Sequence, residues 1–243
     1  MNSNAFERIE LNPARGVQLL RALQPQGLCP AVLLLPGGRY RECNTHLVLP
    51  AARRFWEAGW HCFILEYSVR EHRTWPQPLE DWTQAMTLLH EHQKDWRLAP
   101  GQLAALGFSS GGHLAAAGTL LCEPPLRPDA LLLAYPVLGE AIHLRSELAP
   151  ELISKANASC PPCFLVHSLN DPQAPPEDSL AFAARLQDQK VPLEAHFFSR
   201  GGHGFGDGDA ASQPTPEKAA ALPPRLAGWV DMAIEWLGET LAE

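Results

Sequence analysis

The stretch Leu103-Ala104-Ala105-Leu106-Gly107-Phe108-Ser109-Ser110-Gly111 decides the fold of this chain. Four apolar residues closed by a glycine predict a buried strand, and the small residues after Gly111 predict a helix. In a Gly-x-Ser-x-Gly turn the serine backbone is strained, and glycines flank it because a Cβ atom would clash. The turn projects the Ser109 hydroxyl into a cleft beside a helix N-terminus with free N–H groups. We therefore predict a nucleophilic serine; a bystander serine in a tight turn is the alternative.

Short apolar runs on both sides of this turn predict further buried strands, because each is too short for a helix and is closed by Gly, Pro or polar residues. Helical patterns lie between them, and alternating strands and helices predict a parallel sheet covered on both faces. We expect an antiparallel hairpin, Phe6–Leu11 with Val17–Leu23, at one sheet edge. The predicted strands are Ala31–Leu35, Cys62–Leu65, Leu103–Leu106, Ala130–Ala134, Phe164–Val166 and Leu193–Phe198, and the predicted helices are Leu47–Ala58, the amphipathic pattern from Leu79 to Leu89, Gly112–Leu121, Ser179–Gln189 and Leu226–Leu241.

Length and composition favour one globular domain over residues 1–243, with 46% hydrophobic and 19% charged residues and no internal repeat. The segment Asp207–Pro224 is predicted to be a surface loop. A net charge of −8 without a run of Lys or Arg argues against nucleic acid or an anionic membrane as a partner. The first eight residues lack a signal-peptide pattern, and no apolar stretch approaches the ~20 residues of a membrane span. We expect a cytoplasmic enzyme.

The pair Cys160-Pro-Pro-Cys163 has the spacing of a zinc or redox motif. A zinc site needs a second ligand pair at suitable spacing, which the sequence lacks. A thioredoxin-like motif opens a helix, whereas this one leads into the apolar run Phe164–Val166. We therefore interpret these cysteines as structural thiols and expect no metal site.

A nucleophilic serine requires a histidine base and an orienting carboxylate. Among ten histidines, His203 is favoured, because Gly201-Gly202-His203-Gly204-Phe205 directly follows the last predicted strand. The carboxylate is expected in a loop after a strand, between serine and histidine in chain order. Asp171 fits this position. Asp178 and Glu177 are alternatives whose place before a helix is typical of N-terminal capping.

The loop Pro36-Gly37-Gly38-Arg39-Tyr40 follows the predicted strand Ala31–Leu35. Paired glycines allow backbone N–H groups to face a substrate without side chains blocking it, so this loop predicts an oxyanion donor. A simple Pro-Gly turn is the alternative.

These motifs, with Tyr67-Ser68-Val69 and Tyr135-Pro136-Val137, resemble the α/β-hydrolase superfamily over nearly the whole chain, specifically bacterial carboxylesterases related to acetyl esterases and the hormone-sensitive-lipase group. The resemblance implies an eight-stranded, mostly parallel sheet with a minimal cap. It also assigns the nucleophile to Ser109, the base to His203, the acid to Asp171, and the oxyanion N–H groups to Gly37 or Gly38 and to Ser110.

Two positions depart from the family pattern. Arg39 stands where many relatives have a third glycine, so we regard Arg39 and its neighbour Tyr40 as candidates for substrate binding. The segment Asp171-Pro172-Gln173-Ala174-Pro175 follows the family's Asp-x-x-Val-Pro pattern only approximately.

The resemblance implies a serine carboxylesterase that cleaves short-chain, acetyl-like esters, acetylated sugars among them, through an acyl-enzyme and without metal or organic cofactor. A peptidase or acyltransferase on the same scaffold stays open, as does a non-catalytic ligand-binding relative, which would have lost a triad residue. The expected partner is a small ester, and a homodimer is compatible with the sequence. The 24 residues Val137–Cys160 leave room for one or two short helices as a cap.

Overall fold

The computed structural model describes residues 6–242; Glu243 and Met1–Ala5, part of the stretch without a signal-peptide pattern, lie outside the described residues. The described strands are Glu7–Asn12 (β1), Val17–Ala22 (β2), Cys29–Leu35 (β3), His61–Glu66 (β4), Leu98–Phe108 (β5), Ala130–Ala134 (β6), Cys163–Ser168 (β7) and Leu193–Phe198 (β8). They form one sheet in the order β1-β2-β4-β3-β5-β6-β7-β8. The pairs β1–β2 and β2–β4 are antiparallel, and the other neighbours are parallel. The predicted fold class and edge hairpin are confirmed.

The α-helices within residues 6–242 are Thr45–Glu57 (α1), Gln77–Glu91 (α2), Ser110–Leu121 (α3), Pro176–Asp188 (α4), Pro216–Ala221 (α5) and Trp229–Thr240 (α6). Short 3₁₀ helices span Pro13–Arg15, Arg70–His72, Pro124–Leu126, Glu140–Leu144, Ala210–Ser212 and Pro224–Gly228. No helix in this part of the chain combines the length and the apolar character that crossing a membrane requires.

The helices cover both faces of the sheet because successive strand residues point to opposite sides. In β3, Leu33 and Leu35 pack in a core with helices α2, α3 and α4, whereas Val32 and Leu34 pack in a second core with α1 and α6. Helix α3 lies in the first of these cores, and all its residues from Ser110 to Leu120 are buried. This burial explains why α3 is rich in small residues and lacks a polar face.

Two predicted segments differ from the structure. The segment 207–224, predicted as a loop, contains the 3₁₀ turn Ala210–Ser212 and helix α5, which the Thr215 hydroxyl caps by accepting from a first-turn N–H. The predicted helix Leu226–Leu241 is divided. Its first residues belong to the 3₁₀ helix Pro224–Gly228, and α6 begins at Trp229. The chain enters the 3₁₀ helix from an extended backbone at Pro223, because a residue that precedes a proline is disfavoured in the helical conformation. The cap segment holds one short helix, Glu140–Leu144, within the expected range.

A buried hydrogen-bond chain joins three segments near the carboxyl edge of the sheet. The Tyr40 hydroxyl, in the loop after β3, lies 2.8 Å from Nδ1 of His113 on α3. The other ring nitrogen of His113 lies 2.8 Å from the carbonyl oxygen of Pro150, in the segment between β6 and β7. Since a carbonyl only accepts, His113 donates through Nε2 and accepts from Tyr40 through Nδ1. Burial lowers the pKa of His113 to about 4, so the neutral ring is the form that the fold holds.

Replacing His113 by Gln should make stability less dependent on pH. Because the folded chain keeps His113 neutral down to about pH 4, while the usual histidine pKa is 6.5, the wild type loses stability as pH falls through this interval. By about pH 5 the loss amounts to roughly 2 kcal/mol, at ~1.4 kcal/mol for each pKa unit. Glutamine offers a donor and an acceptor but does not titrate. Urea unfolding at neutral and at mildly acidic pH measures the difference.

His61, whose pKa burial also lowers, leaves part of the pH dependence in both proteins. The expectation is therefore a shallower slope for His113→Gln, not a flat one. Equal slopes in the variant and the wild type would contradict the assignment of a neutral, buried His113.

Candidate active site

Ser109 lies on the sharp turn between β5 and α3, with φ of 53° and ψ of −117°. This left-handed region is sparsely populated by side-chain-bearing residues and costs on the order of 1–3 kcal/mol. The turn forms because α3 approaches the sheet very closely: a Cβ on Gly111 would lie 2.2 Å from the backbone oxygen of Leu35. Only glycine fits at position 111, and this close packing holds the start of α3, directly after Ser109, against the sheet.

The structure brings Ser109, His203 and Asp171 together. The Ser109 hydroxyl oxygen lies 2.9 Å from Nε2 of His203. Nδ1 of the same ring lies 2.7 Å from Oδ2 of Asp171. Because an ionised carboxylate only accepts, His203 donates through Nδ1, which leaves Nε2 free to accept the serine proton. The three groups therefore form a continuous hydrogen-bonded relay.

The Asp171 carboxylate is almost fully buried and accepts four hydrogen bonds. Oδ2 also lies 3.1 Å from Nε2 of His167, and Oδ1 accepts from the backbone N–H groups of Gln173 and Ala174 at 2.8 and 3.0 Å. Burial alone would raise the pKa of Asp171, but the hydrogen bonds from His167 and His203 outweigh it and place the pKa well below its usual range. Asp171 is therefore charged at neutral pH.

His167 was not singled out by sequence reasoning. It lies in β7, is fully buried, and its second ring nitrogen is 2.7 Å from the Ser179 hydroxyl on α4. Ser179 can donate to Nδ1 while His167 donates from Nε2 to Asp171, so all three groups are satisfied. One feature of the sequence could have identified it: His167 lies near the end of β7, four residues before Asp171 in the following loop.

The loop that carries His203 is fastened on both sides of this residue. Before it, the N–H of Gly202 donates to the Ser168 hydroxyl at 3.1 Å and to the Asn170 side chain at 2.9 Å. After it, the N–H of Gly206 donates to the Tyr135 hydroxyl at 3.1 Å. The Tyr135 ring also packs edge-on against His203, with centroids 5.1 Å apart. These contacts fix the ring of His203 over Ser109.

The two candidate oxyanion segments lie beside Ser109. A Cβ on Gly37 would be 3.1 Å from the Cβ of Ser109, so this glycine lets the loop after β3 approach the serine. Ser110 is the first residue of α3, where backbone N–H groups have no intrahelical acceptor. Gly38 has φ of 140°, and a Cβ there would lie 2.0 Å from the backbone oxygen of Glu42. The two glycines thus bring backbone, not side chains, close to Ser109, and Ser110 follows it directly.

This space is a cavity of about 360 Å³. Its wall combines apolar side chains with charged and amide side chains. The apolar residues are Leu47, Val48, Phe108 and Tyr135; the others, besides Ser109 and His203, are Gly37, Gly38, Arg39, Arg41, Glu42, Asn44, Gln173, Gly204 and Lys218.

Arg39 and Tyr40, both predicted to bind substrate, have different positions. Arg39 lines the cavity and donates to the side-chain oxygen of Gln173. Tyr40 does not line it: its side chain is fully buried and is hydrogen bonded to His113. The structure therefore separates the two candidates: the backbone at Arg39 and Tyr40, with φ of 58° at each, turns the tyrosine into the core.

The rival carboxylate Asp178 does not reach His203. It lies in the first turn of α4, and its Oδ2 accepts from the N–H of Gly139 at 3.2 Å. Asp178 therefore links α4 to the segment after β6, whereas the expected role was to cap its own helix. Glu177, in the same turn, is also placed at the helix N-terminus.

The cysteine pair has no ligand geometry. Cys160 and Cys163 are buried free thiols, and burial raises the pKa of Cys160 to about 12. A neutral thiol is a poor nucleophile and a poor metal ligand. Among residues 6–242, no group of three or more His, Cys, Asp or Glu side chains is arranged to hold a metal ion.

Two protein families match parts of the chain: BD-FAE over residues 21–124 and the prolyl oligopeptidase family over residues 145–219. Esterase LipQ of Mycobacterium tuberculosis is 28% identical over 68% of this chain and 48% of its own length. The chain spans 32% to 58% of the length of the curated relatives that it matches.

Solved structures match more completely. An α/β-hydrolase from a Medee basin deep-sea metagenome, MGS-M1, superposes with a TM-score of 0.87 at 29% identity and covers 98% of both chains. The acetyl ester-xyloside bifunctional hydrolase of Caldicellulosiruptor lactoaceticus superposes with a TM-score of 0.77 at 28% identity and covers 94% of this chain and 90% of that one. With the eight-stranded sheet and the turn at Ser109, these similarities show that the chain has an α/β-hydrolase fold and is similar to carboxylesterases.

Proposed function

We propose that the chain is a single-domain serine carboxylesterase in which Ser109 is the nucleophile, His203 the general base and Asp171 the orienting acid. The observation that carries this proposal is the relay from the Ser109 hydroxyl through His203 to Asp171, with distances of 2.9 and 2.7 Å, which opens into the cavity. The esterase relatives support the same chemistry.

In the acylation step, the Ser109 oxygen attacks the ester carbonyl carbon while Nε2 of His203 takes the serine proton. The charge on the Asp171 carboxylate stabilises the imidazolium that forms. The tetrahedral intermediate then expels the alcohol, which receives its proton from His203, and an acyl-Ser109 ester remains. In the second half, His203 takes a proton from water, the hydroxide attacks the acyl carbonyl, and Ser109 regains its proton as the acid leaves.

The developing negative charge on the carbonyl oxygen needs donors that are already in place. We assign them to the N–H of Ser110 and to the N–H of Gly37 or Gly38; this is supported by the approach of the Gly37 backbone to Ser109 and by the position of Ser110 in the first turn of α3. None of these steps requires a metal or an organic cofactor, because every proton moves between Ser109, His203, substrate and water.

Short acyl groups fit this cavity best. Its apolar wall is limited to four side chains, and most of the remaining lining is polar or glycine. An acetyl methyl group is covered by such a wall, whereas a long alkyl chain reaches polar groups or solvent. The polar remainder suits a hydrated alcohol such as a sugar, and the similarity to an acetyl ester-xyloside bifunctional hydrolase supports the same substrate class.

The match to the prolyl oligopeptidase family over residues 145–219 supports a second candidate, a peptidase. Hydrolysis of 4-nitrophenyl acetate and of the matched amide 4-nitroacetanilide separates the two. We favour the esterase because the cap segment holds only one short helix, Glu140–Leu144.

The location and partners belong to the same proposal. We place the enzyme in the cytoplasm, with a small-molecule ester as the partner that the chemistry requires. The net charge of −8 supports the exclusion of nucleic acid and anionic membranes as partners. A homodimer is compatible with the proposal, and size-exclusion chromatography decides it.

Ser109→Ala should abolish ester turnover and leave the fold intact, because the variant loses only the attacking oxygen. The expected decrease in kcat is on the order of 10⁴–10⁶-fold. Ser110→Ala is the matched control, since it removes a neighbouring hydroxyl but keeps the backbone N–H. In the same assay Asp171→Asn should be severely impaired and Asp178→Asn should not. A Ser109→Ala enzyme that retains a tenth of wild-type activity would contradict the assignment of Ser109 as the nucleophile.

His167→Leu should lower kcat with little change in KM, because Asp171 loses a hydrogen bond that holds its charged carboxylate in place. Hydrogen bonds to charged groups contribute roughly 1.5–3 kcal/mol, so the expected decrease is about 10- to 100-fold. His167→Gln retains a side-chain N–H donor and should recover part of the rate. Thermal unfolding of both variants separates positioning from loss of fold. An unchanged kcat in a folded His167→Leu would refute this role.

A series of aryl esters from acetyl to dodecanoyl tests the cavity. Each methylene that enters a dry apolar surface gains roughly 0.8 kcal/mol, so a long trough would make kcat/KM rise steeply with chain length. We expect the highest kcat/KM between acetyl and butyryl and a decrease beyond it. Rates with Ser109→Ala give the uncatalysed background. An optimum at octanoyl or longer would identify a lipase instead.

A further inference from the structure

Arginines are concentrated beside the cavity. A groove of about 290 Å³ adjoins the cavity that holds Ser109, and the two share Arg39, Arg41 and Gln173. The groove is also lined by Arg145, from the segment between β6 and β7. We call these four residues, Arg39, Arg41, Arg145 and Gln173, the arginine groove. No carboxylate side chain lines it within residues 6–242.

These three arginines differ from the arginines that stabilise the fold. Arg15, for example, pairs with two carboxylates at 2.6 and 2.7 Å. In the described part of the chain, none of Arg39, Arg41 and Arg145 lies within ion-pair distance of a carboxylate. Arg39 donates to the side-chain oxygen of Gln173 and Arg145 to its backbone oxygen. The guanidinium groups of Arg39 and Arg145 are held in place, but by neutral acceptors.

Arg145 shows the cost of this arrangement. Burial, and then the positive charge of Arg39, lower its pKa and outweigh the opposing effect of the Asp171 charge. Its Nε is buried and has no hydrogen-bond partner among the described residues. A buried donor without an acceptor and like charges at close range both destabilise the folded chain. An anionic ligand in the groove would offset the repulsion between the two guanidinium groups.

The whole chain carries a net charge of −8, so the arginine groove is not the consequence of a general excess of cations. The adjoining cavity adds the cation Lys218 and a single carboxylate, Glu42. Even when the Asp171 carboxylate behind His203 is counted, cationic side chains outnumber carboxylates around the reacting ester. Oriented guanidinium groups are the side chains best suited to bind a carboxylate or another oxyanion.

We propose that the arginine groove binds an anionic group, a carboxylate or similar oxyanion, that the ester substrate itself carries. The inference rests on the proposed esterase function and specifies its substrate class: esters of acidic sugars or of other carboxylate-bearing molecules. The groove opens from the cavity that contains Ser109, so one molecule can place its ester at the serine and its charge at the arginines.

The test compares esters that differ in charge. Phenyl acetate is the neutral reference, 4-acetoxybenzoate carries its carboxylate on the leaving alcohol, and monophenyl succinate carries it on the acyl group. The methyl esters of the last two compounds are their uncharged matches, and each rate is divided by the hydroxide-catalysed rate of the same compound. We expect at least one anionic compound to exceed its uncharged match in kcat/KM by about 10- to 100-fold.

In Arg145→Gln this ratio should fall to near one, and Arg41→Gln, at an exposed position, provides a second variant if Arg145→Gln does not fold. Arg8→Gln changes the net charge equally, but Arg8 is exposed on β1 at the far sheet edge, so the ratio should persist there. Ratios near one in the wild type, or ratios that persist in both groove variants, would overturn the proposal while leaving the esterase function intact.

Binding provides a readout that does not depend on turnover. By calorimetry, Ser109→Ala should bind 4-acetoxybenzoate or monophenyl succinate more tightly than the corresponding methyl ester, and adding Arg145→Gln should remove the difference. If the wild type cleaves no ester, this measurement still decides whether the groove recognises the anion. Inorganic phosphate that binds in an Arg145-dependent way, without any preference for anionic esters, would replace the proposal with a site for a free oxyanion.

Discussion

The close approach of α3 to the centre of the sheet is the constraint on which the site depends. Backbone lies against backbone there: a Cβ on Gly107 would be 2.4 Å from the oxygen of Gly111, and one on Gly111 would be 2.2 Å from the oxygen of Leu35. This contact brings the end of β5, the start of α3 and the loop after β3 together without intervening side chains. The glycines beside Ser109 are required by that packing. The burial of α3 offsets the conformational strain of the turn at Ser109.

A buried charge organises the other half of the site. Asp171 lies in the loop after β7, the loop that bears His203 follows β8, and His167 links the carboxylate to α4 through Ser179. A desolvated carboxylate is costly unless several donors face it, so two imidazoles and two backbone N–H groups are needed to keep it ionised. The same hydrogen bonds that satisfy the charge also fix the ring of His203.

Sequence reasoning succeeded where the signal is local. The strand before Ser109, the glycines around it and the loops that carry Asp171 and His203 are each read from a few neighbouring residues, and the parallel topology brings the loop ends to one edge of the sheet. It failed where the partner is distant. The contact of Tyr40 with His113 spans 73 residues, and Arg39 and Arg145 meet Gln173 across 134 and 28 residues. The sequence shows how many arginines the chain has, but only the fold determines which of them have no carboxylate as an ion-pair partner.

The loop after β3 connects the reactive carbonyl with the proposed anion site. Gly38, Arg39 and Tyr40 all have positive φ, so successive residues leave this tight turn in different directions. Tyr40 enters the core and is held by His113, Gly37 approaches Ser109, and Arg39 projects into the cavity. Because the buried tyrosine anchors the turn, the backbone donors and the guanidinium group belong to one rigid unit. The fold therefore sets the distance between the ester at Ser109 and the anion at the arginines. A small cavity with few apolar contacts can then discriminate among esters by the position of their charge.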